Sequence, residues 1–179
     1  MIVGYAAVFH RADDPGTEFE LWADLVEWIE PGAFSRVGED DVRGLFNHDP
    51  RLLLGRAKAG TLRLSVDTIG LRYEIDPPDT QAGKDTLESI RRGDVDGSSF
   101  AFLPRAVRYQ RLDDKREARV LTDVEVFDVG PVTYPAYQAT TSGVRGLGCL
   151  DDIRAERDAF HHRQSVRRKL AERLQRNTQ

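Results

Sequence analysis

The chain has 179 residues, of which 40% are apolar and 31% charged, and its 26 basic and 30 acidic side chains leave a net charge of −4. That length fits one folded domain with an added arm and suffices to bury a substantial core. No apolar run approaches the roughly 18 residues of a membrane-spanning helix, and the acidic balance gives no electrostatic reason to bind nucleic acid, so neither partner is expected.

The charge is uneven. Residues 151–179 hold eight basic and five acidic side chains, against 18 and 25 in the rest. A single cysteine, Cys149, rules out an internal disulfide and any multi-cysteine metal site. The apolar start, Ile2 to Phe9, lacks a basic leader and reads as a strand, so cytoplasmic synthesis without a signal peptide is expected.

Short β-like runs follow in order: Val42 to Asn47, Thr61 to Val66, Gly70 to Ile75, Phe100 to Tyr109 and Ala118 to Val129. Leu21 to Ile29 fits helical spacing and strand chemistry alike. Thr61 to Val66 and Leu71 to Asp76 alternate around the turn residues Asp67-Thr68-Ile69-Gly70, which predicts a hairpin. Asp79 or Thr80 can cap a helix running to about Arg92, ended by Gly93, with Leu87 and Ile90 on its inner face.

The strand spacing predicts a mixed α/β (α+β) fold, mainly an antiparallel sheet or barrel. After Tyr137 the β pattern stops, and Gly143, Gly146 and Gly148 mark a joint. Beyond it a sparse apolar stripe of Ile153, Phe160, Val166, Leu170 and Leu174 among many charges predicts a helical arm. The expected division is a body over 1–142 and a joint with arm over 143–179.

Three segments carry groups suited to nucleophilic catalysis. Asn47-His48-Asp49 offers an imidazole at a strand end, where it can act as a base near neutral pH. Gly97-Ser98-Ser99-Phe100-Ala101-Phe102 offers two hydroxyls. Successive strand residues face opposite sides, so if both phenylalanines enter the core, Ser98 goes with them and Ser99 faces a groove beside the small Ala101. Val124-Glu125-Val126-Phe127-Asp128-Val129 offers two carboxylates, either of which could orient the histidine. Being three apart on a strand, they should face opposite ways. No second histidine or carboxylate stands at ligand spacing beside His48, and no metal or cofactor is expected.

These segments, together with Gly4 to Phe9, Glu30-Pro31-Gly32-Ala33-Phe34, Leu54-Gly55-Arg56 and Pro135-Ala136, occur in an order that resembles the prohead maturation proteases of tailed bacteriophages, from about Ile2 to Thr141. Two departures are Ser98 where that family has methionine and Ala101 where it has glycine. The resemblance implies His48 as base and Ser99 as nucleophile. The family is similar to herpesvirus assemblin, a closed β-barrel ringed by helices whose third catalytic residue is a second histidine. The spacing in that order points to Glu125 as the third residue here.

The implied activity is a serine endopeptidase that cleaves major capsid protein or scaffold segments inside an immature phage head in the host cytoplasm. A homo-oligomer is expected by analogy with the herpesvirus relatives. The backbone amides of the Gly130 to Ala136 loop are the expected oxyanion donors. The alternative is a non-catalytic procapsid assembly or scaffold component of the same fold.

Overall fold

The computed structural model describes residues 1–113, 115–134 and 150–176. The expected glycine joint, Cys149 and the Pro135-Ala136 part of the loop lie outside them. The strands are β1 (Ile2–Val8), β2 (Phe19–Trp22), β3 (Leu25–Ile29), β4 (Arg43–Leu45), β5 (Leu53–Arg56), β6 (Leu62–Val66), β7 (Gly70–Ile75), β8 (Gly97–Arg111) and β9 (Glu117–Val132). The helices are α1 (Gln81–Arg92) and α2 (Leu150–Arg176). The chain divides into two compact units, Met1–Leu147 and Gly148–Gln179. The second contains α2, whose middle carries mostly exposed charges.

Local chemistry accounts for most boundaries in the first unit. The Thr80 hydroxyl accepts the Gly83 N–H at 3.3 Å to cap α1, and Gly93 at φ 80° closes it in the left-handed conformation that glycine adopts without a Cβ clash. The inner face of α1 differs from expectation. Gly83 and Thr86 are buried and Ile90 packs on the core, whereas Leu87 is exposed. Gly83 lies against Pro78, where a Cβ would stand 2.2 Å from the proline carbonyl oxygen, so the smallest residue sets the close approach.

The strands form two sheets. One is antiparallel, in the order β1-β7-β6, and includes the expected hairpin. The other runs β2-β3-β9-β4-β5 with β8 also on β9. The expected closed barrel is not found among the described residues, and two pairings depart from an antiparallel pattern: β3 and β4 both run parallel to β9. Such pairings join segments remote in sequence, so no local signal announces them.

Strand β9 is the spine of the second sheet. β8 pairs along almost all of one edge, while the other edge is shared by β3 at Glu117–Leu121 and β4 at Asp128–Val129. Between the sheets lies a core of Ala6, Ala7, Phe34, Leu71, Tyr73, Ile75, Phe100, Val126 and Val129, among others. Phe100 stacks on Phe102 with centroids 4.6 Å apart and meets Phe34 edge-on at 5.7 Å. Burying each such side chain contributes about 2 kcal/mol. Gly44 and Gly55 leave room for Ile75, which lets the β4–β5 pair lie close on β7.

Candidate active site

The site is assembled on the face of β8 and β9 turned away from this core. Ser99 on β8 stands opposite Gly130 on β9, and Ala101 stands opposite Asp128. Ser99 and Asp128 are therefore diagonal neighbours on one face, about 7 Å apart at the backbone. Gly130 and Ala101, the other corners of that square, carry little or no side chain. The space suits an imidazole.

His48 supplies it from the loop between β4 and β5. Asn47 and His48 both have left-handed backbone, at φ 53° and 56°, a conformation that residues other than glycine seldom adopt. Neighbouring hydrogen bonds hold it there. The Asn47 N–H donates to the Pro131 carbonyl at 3.0 Å, and its side-chain oxygen accepts the Thr133 N–H at 2.7 Å. Asp49 closes the other flank, its backbone N–H bonding the Phe46 carbonyl and its carboxylate accepting the Arg51 N–H at 2.9 Å. In Asn-His-Asp the outer two residues thus aim the middle one.

His48 Nε2 lies 2.7 Å from Ser99 Oγ, and Nδ1 lies 2.6 Å from Asp128 Oδ1. An ionised carboxylate can only accept, so Nδ1–H donates to Asp128 and Nε2 is left to accept the Ser99 hydroxyl proton. The His48 and Asp128 side chains are mostly buried and Ser99 is fully so. Hydroxyl, imidazole and carboxylate form one continuous line. Ser98 points the other way, 2.8 Å from the buried Tyr73 hydroxyl and against Gly4.

Glu125 is not brought to the histidine. Its carboxylate lies 3.6 Å from Arg105 and is partly exposed, and both His48 ring nitrogens have other partners. The structure places Asp128, not Glu125, against His48, for a reason the sequence hides. Ala101 pairs with Asp128 but Phe102 pairs with Val126, so Phe127 is an extra residue bulged out of the ladder. The bulge reverses parity: Val124 and Val126 enter the core, while Glu125, opposite Leu103, falls on the same nominal face as Asp128 but farther along the strand.

Sequence reading also missed the Asn47–Thr133 clamp, which leaves no signature beyond the flanking asparagine. The expected oxyanion donors are fewer than the Gly130 to Ala136 loop suggests, because Pro131 has no N–H and that of Thr133 is engaged by Asn47. His10 is elsewhere, stacked on Trp28 with centroids 4.1 Å apart, at a cavity of about 420 Å³ shared with Glu30, Arg108 and Gln110. Among the described residues no three His, Cys, Asp or Glu side chains converge as a metal site, and no described helix is long and apolar enough to cross a membrane.

A serine, a histidine and an aspartate hydrogen-bonded in this order form the Ser–His–Asp arrangement of serine hydrolases, which recurs on unrelated folds. Comparison with known families agrees with that class and narrows it: residues 1–146 match the model of the caudovirus prohead serine proteases. The chain belongs to this family of serine peptidases. No curated protein and no solved structure matches it.

Proposed function

We propose that the chain is a serine endopeptidase that cleaves capsid or scaffold protein segments inside an immature phage head, with Ser99 as nucleophile, His48 as base and Asp128 as the carboxylate that orients the histidine. The observation that carries the reading is the unbroken line Ser99 Oγ, His48 Nε2, His48 Nδ1, Asp128 Oδ1, with contacts of 2.7 and 2.6 Å. Family membership supplies the substrate class.

His48 takes the hydroxyl proton as Ser99 Oγ bonds to the scissile carbonyl carbon, and Asp128 stabilises the imidazolium that forms. When the tetrahedral intermediate collapses, the C–N bond breaks and His48 returns the proton to the leaving amine. Water, deprotonated by His48, then attacks the acyl-enzyme, and the proton passes back to Ser99 as the ester bond breaks. Because Ser99 is fully buried, whatever covers it has to give way before a peptide reaches the hydroxyl.

The test is co-expression with the phage's major capsid protein, read as cleavage on gels, alongside labelling of the purified chain with a fluorophosphonate. Ser99→Ala and His48→Ala abolish processing, and Ser99→Ala abolishes labelling. Asp128→Asn lowers the rate by about 10⁴-fold, as loss of the orienting carboxylate does in such arrangements, while Glu125→Gln stays within about threefold. Cleavage that survives Ser99→Ala overturns the reading, and a loss confined to Glu125→Gln overturns the assignment of Asp128.

A further inference from the structure

Strand β9 has a gap in its pairing where the site needs accuracy most. On the edge shared by β3 and β4, β3 stops opposite Leu121 and β4 begins opposite Asp128. The segment 122–127 includes the Phe127 bulge and ends next to the carboxylate on His48. β8 pairs this stretch along its other edge, but the amides facing the gap cost free energy if they are buried without partners.

The connection from β3 to β4 fills the gap piecemeal. The Ala33 carbonyl accepts the Val124 N–H at 3.1 Å. Two residues on, Asp40 Oδ2 accepts the Val126 N–H at 2.9 Å. Asp40 Oδ1 accepts from Arg105 Nη2 at 2.8 Å, and Arg105 Nη1 donates to the Val124 carbonyl at 3.2 Å. One acceptor for the N–H of 126 and one donor to the C=O of 124 are what a residue of a parallel strand offers when it stands opposite Glu125. The Asp40–Arg105 pair substitutes side chains for that missing strand residue.

The Asp40 side chain is only 4% exposed, and both of its carboxylate oxygens are engaged by these partners. Arg105 comes from β8, the strand that carries Ser99. The pair therefore ties the nucleophile's strand, the carboxylate's strand and the segment leading to His48 at one point.

We propose that Asp40 and Arg105 are positioning residues for the Ser99–His48–Asp128 line: they fix the backbone at 124–126, and through the Phe127 bulge set where the Asp128 carboxylate meets His48 Nδ1. Neither touches substrate. The proposal rests on the role given to Asp128 above, and it concerns the rate of the chemical step rather than binding. Displacement of a catalytic group by about 1 Å costs up to roughly 100-fold.

The test uses the full chain and a fluorophosphonate, with the maximal labelling rate of Ser99 separated from the probe's half-saturating concentration, and with the low-field proton resonance of the His48–Asp128 hydrogen bond recorded in parallel. In Asp40→Ala the maximal rate falls about 10- to 100-fold, half-saturation stays within about twofold, and the low-field resonance is lost while circular dichroism shows a folded chain. Asp40→Asn keeps an acceptor for the Val126 N–H and recovers most of the rate; Arg105→Met, lacking both donors, does not. A parental rate in Asp40→Ala, an unchanged low-field resonance, or no advantage of asparagine over alanine overturns the proposal. If Asp40→Ala fails to fold, Arg105→Met decides, and a parental rate and resonance there overturn it. Failure of the protease reading looks different: the parent itself is not labelled at Ser99, while the resonance still reports whether Asp40 and Arg105 place Asp128.

Discussion

Tyr73 and Ser98 share a hydrogen bond of 2.8 Å behind the site, and burial pushes the Tyr73 phenol up to about 12, with the Ser98 bond offsetting part of the rise. The folded state disfavours the phenolate. Its contribution is fully present below the unfolded value near 10 and is lost as pH rises from there to about 12. Between about pH 9 and about pH 11 the parent should lose about 1 kcal/mol more in urea unfolding than Tyr73→Phe does. Equal losses would mean that another group drives alkaline unfolding. At this scale strand parity was informative in one place and misleading in another. Alternation along Ser98, Ser99, Phe100 and Phe102 separates the two hydroxyls to opposite faces, as the structure has them. The same counting fails between Glu125 and Asp128, because nothing in Val-Phe-Asp-Val signals that Phe127 leaves the ladder.

Among the elements, the contact of β4 with β9 places His48. At Gly130 a Cβ would stand 1.9 Å from the Leu45 carbonyl oxygen, two residues before Asn47. Gly130→Ala should therefore force β4 away, costing about 1–3 kcal/mol in thermal unfolding and abolishing Ser99 labelling. Gly38→Ala, where a Cβ meets nothing within 4 Å, is the control and should change neither. If Gly130→Ala keeps parental labelling, β4 does not set the histidine. The ends of α1 could be read from Thr80 and Gly93 because caps are local chemistry. Leu21 to Ile29 could not, since its spacing suits either period. The strand state of Leu25–Ile29 comes from pairing with Glu117–Leu121, nearly a hundred residues away, and β2 in turn pairs with β3.

For the molecule as a whole, the family match ends at residue 146 and the first compact unit at Leu147. Both sheets and the whole Ser99–His48–Asp128 line lie within that unit. A chain ending at Leu147 should keep parental Ser99 labelling and unfold within a few degrees of the parent; loss of either would show that residues 148–179 complete the fold. The expectation of a closed barrel came from the resemblance to assemblin, and periodicity by itself left sheet and barrel open. Alternation reports that one face of a strand is buried, not which strands meet. Among the described residues the strands form two sheets, and two of the pairings on β9 are parallel.

The position of β9 also bears on when the Ser99–His48–Asp128 line can come together during synthesis. Among the described residues it is the last strand in the chain and the central one of its sheet, so β3 and β4 have no partner on that edge until it leaves the ribosome. His48 waits 51 residues for Ser99 and 80 for Asp128. Contacts so distant in sequence form late and together. A nascent chain from which β9 has not yet emerged therefore holds His48 and Ser99 without Asp128 and without the strand that brings them together.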